Sequence, residues 1–337
     1  MSRLISIVLP CYNVAPYLDE CLRSLTQQSY TDLQIIAVND GSTDNTLSIL
    51  QKYAAEDPRI QIVSQQNAGL GAARNAGFAH ATGEYISFVD SDDYLAPGAI
   101  ALLTEEAVKT NADITMGARV KFNSKGSHIS PAHTFAKYRP ATTAREFTGV
   151  FGVIAVHGKL FKAAFLHKHH LTFQEVRAQE DSGFSYIAYR QARRITVVPD
   201  PVYYYRKRDG GEASITQSRL RRASLLGRFA QIETTISLAK DREGNLTTSH
   251  KNPYGLEFGK RLMRHIVKFQ HAADDPITRE ALDMIATFSH PYRHEIAKHC
   301  DEVTLDVYRT IWARDLPNLK KALKRRHQRL TKAATQP

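Results

Sequence analysis

An α/β fold, with a mainly parallel central sheet flanked by helices and a helical region behind it, is what this 337-residue sequence predicts. Three observations carry the prediction. Over the first 120 residues, apolar runs of strand length alternate with segments whose apolar residues recur at helical spacing. Those runs are apolar on both faces, as strands covered by helices on each side must be. From about residue 217 the strand-type runs fade and the helical period alone remains.

LISIVLP is the first continuous apolar run, and Pro10 ends it. APYLDECLRSLTQQ follows, with Leu18, Cys21, Leu22 and Leu25 on one helical face. LQIIAVND is the second strand, and STDNTLSILQKYAAED opens on Ser42 and Thr43, residues suited to cap a helix. IQIVSQ, GLGAARNAGFAHA, EYISFVD, PGAIALLTEEAVKT and ADITMGARV continue the alternation. Residues 121–141 are polar, contain Gly126, Pro131 and Pro140, and read as a loop or mobile insertion. EDSGFSYIAYRQA reads as a helix, and RITVVPDPVYYYRKR as a strand pair broken by Pro199 and Pro201. The expected organisation is a domain over residues 1–216, with halves 1–120 and 121–216, and a helical region over 217–337. In that region Leu226, Phe229, Ile232 and Ile236 form one apolar stripe, and Leu262, Ile266 and Phe269 another. Such stripes must be buried, either on the preceding domain or in a homo-oligomer interface.

Composition excludes several classes. No apolar run approaches the roughly 18–20 residues that cross a bilayer, and the N-terminal run is too short for a signal peptide. Three cysteines, Cys11, Cys21 and Cys300, form no disulfide framework and point to a reducing compartment, so a cytoplasmic protein is expected. The formal net charge is +11, and Lys320 to Leu330 carry six cations with no acid. Lys320, Lys324 and Arg325 lie beside Leu319, Leu323 and Leu330 at helical spacing, the pattern of a basic amphipathic helix. It suits a polyanionic polymer, an anionic surface at the inner membrane face, or plain solvation of a helix end. The usual nucleic-acid motifs are lacking, and no nucleic acid is expected as partner.

In parallel sheets, ligands bind beyond the carboxyl ends of the strands. Polar clusters stand at three of those ends: ND after the second strand, QQNAG after the third and DSDD after the fourth. A dinucleotide fingerprint is excluded, because the turn after the first strand, PCYNVAPYL, has no glycine. FVDSDD holds three carboxylates within four positions. Residues two apart in an extended segment point the same way, so Asp90 and Asp92 face the crevice together. Mg2+ and Mn2+ are hard cations that accept such oxygen donors along with substrate phosphates. The plainer alternatives are a solvent-screened acidic loop and Asp93 as the cap of the next helix; Asp93 is read in that plainer way. HKHH, residues 167–170, reads as a solvated loop.

VLPCYN, VNDGSTDNT, NAGLGAARNAG and FVDSDD, in this order at strand ends, resemble the family 2 glycosyltransferases, which have the GT-A fold. The resemblance is dense over residues 4–120 and thinner through HGKLFK, QED and YYYRKR. It implies a UDP-sugar donor, with Asp40 accepting the uracil imide proton and Pro10, Tyr12 and Asn13 lining the base and ribose. Asn67 and Arg74 would face the nucleotide, Asp90 would lie near the ribose with Ser91 beside it, and Asp92 would ligate Mn2+ or Mg2+ through the diphosphate. Arg206 or Arg208 would contact phosphate, although this segment departs from the family in its Gly210-Gly211 pair and its lack of histidine. Asp181 would act as general base and Glu180 would orient the acceptor, giving inversion. Each residue has a plainer role: Asp40-Gly41 as a turn, Arg74 as a surface ion pair, Glu180 and Asp181 as acids at a helix N-terminus. The implied activity is inverting, metal-dependent transfer to a hydroxyl of a bacterial surface glycan or teichoic-acid-like polymer. The alternatives are a lipid-linked oligosaccharide acceptor and a non-catalytic sugar-nucleotide-binding scaffold; Asp92 and Asp181 together argue against the scaffold.

Overall fold

The computed structural model describes residues 3–174, 180–208, 222–238 and 257–335. Two compact units divide the chain, residues 1–211 and 212–337; the expected boundary at 216/217 lies outside the described residues.

The first unit is built on one ten-stranded sheet of order β3-β2-β1-β4-β9-β6-β10-β5, with β7 on β6 and β8 on β10. Strands β1 (Ile5–Cys11), β2 (Leu33–Asp40), β3 (Ile60–Gln65) and β4 (Tyr85–Phe88) are mutually parallel. Helices α1 (Ala15–Thr26), α2 (Thr46–Glu56) and α3 (Leu70–Ala79) connect them. Side chains alternate along β1, so Ile5, Ile7 and Leu9 join one core and Val8 joins the core on the other face. Helix α3 packs close because Gly77 is small: a Cβ there would stand 2.5 Å from Val8 Cγ1.

The rest of the sheet is mixed. Short β5 (Tyr94–Leu95) follows the DSDD loop, and helix α4 (Ala99–Thr110) leads into β6 (Ile114–Asn123). The region expected as a loop at 121–141 instead continues β6 to Asn123, turns into β7 (Gly126–Ile129) and reaches β8 (Arg139–Thr142). All four β7 residues are exposed, so this strand has no apolar alternation to announce it. Strand β9 (Lys159–Lys162) enters antiparallel between β4 and β6, and helices α5 (Ala163–Lys168) and α6 (Glu180–Gln191) follow. The expected strand pair at 195–208 is one strand, β10 (Ile195–Arg206), parallel to β6 with register shifts around Pro201. Proline lacks an N–H, and a bulge absorbs the missing ladder bonds without ending the strand.

The second unit is helical throughout its described residues: α7 (Arg222–Leu238), a π-helical turn (Glu257–Leu262), α8 (Met263–Ile266), a 3-10 turn (Val267–His271), α9 (Pro276–Ser289), α10 (Arg293–His299), α11 (Glu302–Trp312) and α12 (Leu316–Thr335). Phe229, Ile232, Ile236, Leu262, Ile266 and Phe269 are buried in this unit's own core. The inward residue at the start of the first stripe is Leu225; Leu226 is 48% exposed. Helix α12 buries Leu319, Ala322 and Leu323. No described helix is long and apolar enough to cross a membrane.

Candidate functional site

Four loops stand side by side at the carboxyl ends of the parallel strands β1–β4. Pro10 is buried at the end of β1, level with Val38 of β2. Beyond it Tyr12 is 48% exposed, and Asn13 takes a positive φ of 48°. The Asn13 Oδ1 accepts from the Thr43 N–H at 2.8 Å, and its own N–H donates to Ser42 Oγ at 3.2 Å, so the first loop is tied to the second. Asp40, at the end of β2, is buried. Its Oδ1 accepts from Gln65 Nε2 (2.8 Å) and the Ala68 N–H (2.9 Å), and its Oδ2 from the Gly69 N–H (3.0 Å). Those bonds hold the loop that carries the exposed Asn67. Gly41 has a φ of +69°, and a Cβ there would lie 2.8 Å from the Asn67 nitrogen, so only glycine fits this turn.

Arg74, one turn into α3, is 1% exposed. Its Nη2 donates to Asp90 Oδ1 and its Nη1 to Glu180 Oε1, both at 2.6 Å. This is an ion pair of the plainer kind the sequence allowed, yet it is buried, and it ties the DSDD loop to the start of α6. Burial pushes the Glu180 carboxyl up to about 7, against the pull of Arg74. Asp181 follows it in the first turn of α6.

The DSDD loop is gripped from β10. Arg206 Nε donates to the Asp92 carbonyl at 2.9 Å, the Arg206 N–H donates to Asp93 Oδ1 at 2.7 Å, and its guanidinium also pairs with Glu20. Arg208 Nη2 donates to Asp92 Oδ2 at 2.8 Å. Both arginines therefore contact this loop, Arg206 at Asp92 and Asp93 and Arg208 at Asp92. Burial and the neighbouring Asp90 push the Asp92 carboxyl up, and Arg208 pulls it back. Ser91 is buried between these residues.

Asp93 is not a helix cap. Helix α4 starts at Ala99 behind Gly98, and the Asp93 carboxylate is instead buried against β10, where Oδ2 accepts from Tyr203 Oη at 2.7 Å. Tyr203 Oη in turn accepts from the Asp90 N–H at 3.1 Å. His157, just before β9, stacks on Tyr203 with ring centroids 4.3 Å apart. Ligand atoms of Asp90, Asp93 and His157 lie within 4.8 Å of one another. His157 is 4% exposed, and its Nδ1 has no hydrogen-bond partner among the described residues. Burial, with Arg119 and Lys159 nearby, keeps its imidazole neutral by pushing its pKa well down. The donor set is thus compatible with a divalent cation, although the group that the fold assembles differs from Asp92, which faces Arg208.

Sequence reasoning missed His157, Lys159, Arg119 and Tyr203 as members of this site. Lys159 is fully buried and donates to the Ala155 carbonyl; Arg119 Nη1 lies 3.4 Å from His157 Nε2. HGKLFK carried a signal, two bases two residues apart at the start of a short strand, but nothing in it discloses that β9 inserts beside β4.

Residues 6–169 match the sequence profile of the family described as Glycosyl transferase family 2. The chain is 37% identical over 217 residues to a Bacillus spizizenii poly(ribitol-phosphate) beta-glucosyltransferase, covering 63% of this chain and 33% of that protein. It is 31% identical over 223 residues to the glycosyltransferase GlyG of Streptococcus pneumoniae, covering 62% of this chain and 73% of that protein. The chain spans less than two thirds of the length of the first curated relatives it matches, 62%, 31% and 33%. Among solved structures, TarS of S. aureus, residues 1–349 in complex with UDP-GlcNAc, superposes with a TM-score of 0.74 at 22% identity, covering 96% of this chain and 92% of that one. At that identity the likeness is one of fold.

Proposed function

The chain belongs to glycosyltransferase family 2 and has the GT-A fold, and from that premise we propose that it transfers a sugar from a UDP-sugar to a hydroxyl of a phosphate-containing bacterial surface polymer, inverting the anomeric centre. One observation carries the proposal: Arg74 bonds Asp90 and Glu180 at 2.6 Å each. That bridge holds the acids of the β4 loop near the acids of α6, which supports a metal-binding group and a base acting on one donor sugar. The UDP-GlcNAc complex of TarS and the poly(ribitol-phosphate) relative support the donor and acceptor classes.

In this reading Asp40 and the loop it holds receive the uracil, with Tyr12 and Asn13 beside the base and ribose. Arg206 keeps the DSDD loop in place, and Arg208 exchanges its partner. An incoming diphosphate offers Arg208 a second anion and releases Asp92. Asp92, with Asp90 and His157, would hold Mn2+ or Mg2+. When bound, such a cation offsets the charge that grows on the departing nucleoside diphosphate. Asp181 accepts the proton of the attacking hydroxyl, and Glu180, fixed by Arg74, orients that hydroxyl. The exposed cations of α12 offer a further contact for the polymer.

UDP release from a panel of UDP-sugars, measured with Mn2+ and with a chelator, tests the reading. Cation-dependent release from at least one UDP-sugar is expected. Tight UDP binding with no release, with or without acceptor, would point to the scaffold instead.

A further inference from the structure

A basic pocket opens at the far end of the sheet from the crevice. Lys162, Lys168, His169, Arg193, Arg194 and Asp113 line it, and its volume is about 240 Å3. Strands β6 and β10 begin beside it, at Ile114 and Ile195, and run away from it toward the DSDD loop. Helix α6 joins the two places: Asp181 lies in its first turn and Gln191 is its last residue. Ten residues of α-helix put about 15 Å between them.

The charge here exceeds what the local structure needs. Lys162 Nζ donates to Asn111 Oδ1 at 2.9 Å and Arg194 Nε to the Asn111 carbonyl at 2.8 Å, both neutral acceptors. Asp113 Oδ2 is occupied by the backbone N–H groups of Arg193 (2.7 Å) and Arg194 (3.1 Å), which point the chain but leave the side chains unneutralised. The carboxyl ends of α5 and α6 contribute roughly half a negative charge each. Setting those and Asp113 against four lysine and arginine cations leaves about two positive charges, without counting His169. Lys168 and Arg193 are exposed. Arginine forks and lysine ammonium groups around one concavity match phosphate oxygens. Phe165 and Ala164 add carbon surface to the lining, which suits the polyol stretch between two phosphates better than a free phosphate ion.

We propose that this pocket is a second anchoring site for phosphodiester groups of a polymeric acceptor, remote from the point of sugar transfer. The inference rests on the reading of the crevice as a transferase site for an anionic polymer. A chain held at the pocket presents its neighbouring repeats to Asp181 at high local concentration, so affinity for polymer exceeds affinity for a single repeat without any new contact in the crevice.

The test compares the full-length wild type with Lys168→Glu/Arg193→Glu and, as a milder control on folding, Lys168→Gln/Arg193→Gln. Three quantities are measured: UDP-sugar hydrolysis, KM for poly(ribitol phosphate) against KM for a single ribitol phosphate, and direct binding of labelled poly(ribitol phosphate) by fluorescence anisotropy. The charge-reversed protein should hydrolyse donor normally and keep its KM for the single repeat. Its KM and Kd for polymer should rise at least about fivefold at low salt, and the slope of log Kd against log salt should fall by about one. Equal polymer Kd values for wild type and both variants would overturn the anchor, whether or not transfer is seen. So would a pocket-dependent association that appears with phosphatidylglycerol vesicles and not with polymer. Absence of hydrolysis and transfer with every donor, alongside pocket-dependent polymer binding, would instead count against the reading of the crevice.

Discussion

The two halves of the first unit contribute opposite charges to the crevice. The β1–β4 half brings carboxylates at strand ends: Asp40, Asp90, Asp92 and Asp93. The β6–β10 half brings bases: Arg119, His157, Lys159, Arg206 and Arg208. Hydrogen bonds cross between them from Arg208 to Asp92, from Arg206 to the Asp92 carbonyl and to Asp93, from Tyr203 to Asp93 and from the Asp90 N–H to Tyr203. Another runs the other way, from Arg74 to Glu180. Burial works against both walls, pushing the Asp93 carboxyl well up and the Lys159 ammonium well down. Each wall therefore supplies partners to the other. Damage to a residue that spans both walls should cost stability, and damage to one wall should cost one substrate.

Arg74 spans both, so Arg74→Met has the largest expected effect. It strands the buried Glu180 carboxylate and the half-buried Asp90, and removing one member of a buried ion pair costs about 3–5 kcal/mol. Urea denaturation would measure it; a change under about 1 kcal/mol would mean the bridge is not a structural tie. Next is Asp92→Asn, confined to the acidic wall. It should abolish the Mn2+-dependent rise in melting temperature with UDP and lower turnover by about two orders of magnitude. Normal turnover would move the cation away from Asp92.

A smaller effect concerns pH. The folded Glu180 carboxyl, at about 7 against an ordinary 4.5, holds its proton more tightly than in the unfolded chain. Its contribution to stability is complete below pH 4.5 and is lost as the pH rises through 7. Across that window the wild type should lose stability relative to Glu180→Gln, read from urea midpoints at several pH values. Parallel curves would show that burial does not perturb this acid.

The smallest effect lies in the second unit. Lys320 Nζ donates to the Ala272 carbonyl and Arg325 pairs with Asp306, so these two are occupied within the unit. Lys321, Lys324 and Arg329 are exposed. Changing those three to Gln should leave donor hydrolysis intact and weaken polymer transfer only at low salt, by about two- to threefold. Equal salt dependence of transfer would make them a solubility feature.

How far the sequence disclosed this arrangement differs between the same two halves. The β1–β4 half was legible because each strand is a continuous apolar run and each helix has its own period, and because the spacing of Asp90 and Asp92 is local. The helical region was legible in its composition, though residues 257–271 break into π, α and 3-10 turns. The other wall was mostly hidden. Strand β7 is exposed on every residue, β10 runs through two prolines, and β9 is four residues long. Its insertion between β4 and β6 depends on pairing over some 75 residues of chain, from Tyr85 to Lys162 and Ile86 to Phe161. Asp93 was misread because its partner, Tyr203, is 110 residues away. Local chemistry names a carboxylate as a candidate, but only the register of distant strands decides what faces it.

The division of labour between the walls is tested most directly by Asp181→Asn, assayed for UDP-sugar affinity by calorimetry and for sugar transfer to a polymeric acceptor in the same preparation. A base that acts only on the acceptor proton should be separable from donor binding: the account predicts unchanged donor Kd and a loss of transfer of about 10²- to 10⁴-fold. A donor Kd that weakens in proportion to the lost rate, or transfer that survives the substitution, would contradict it.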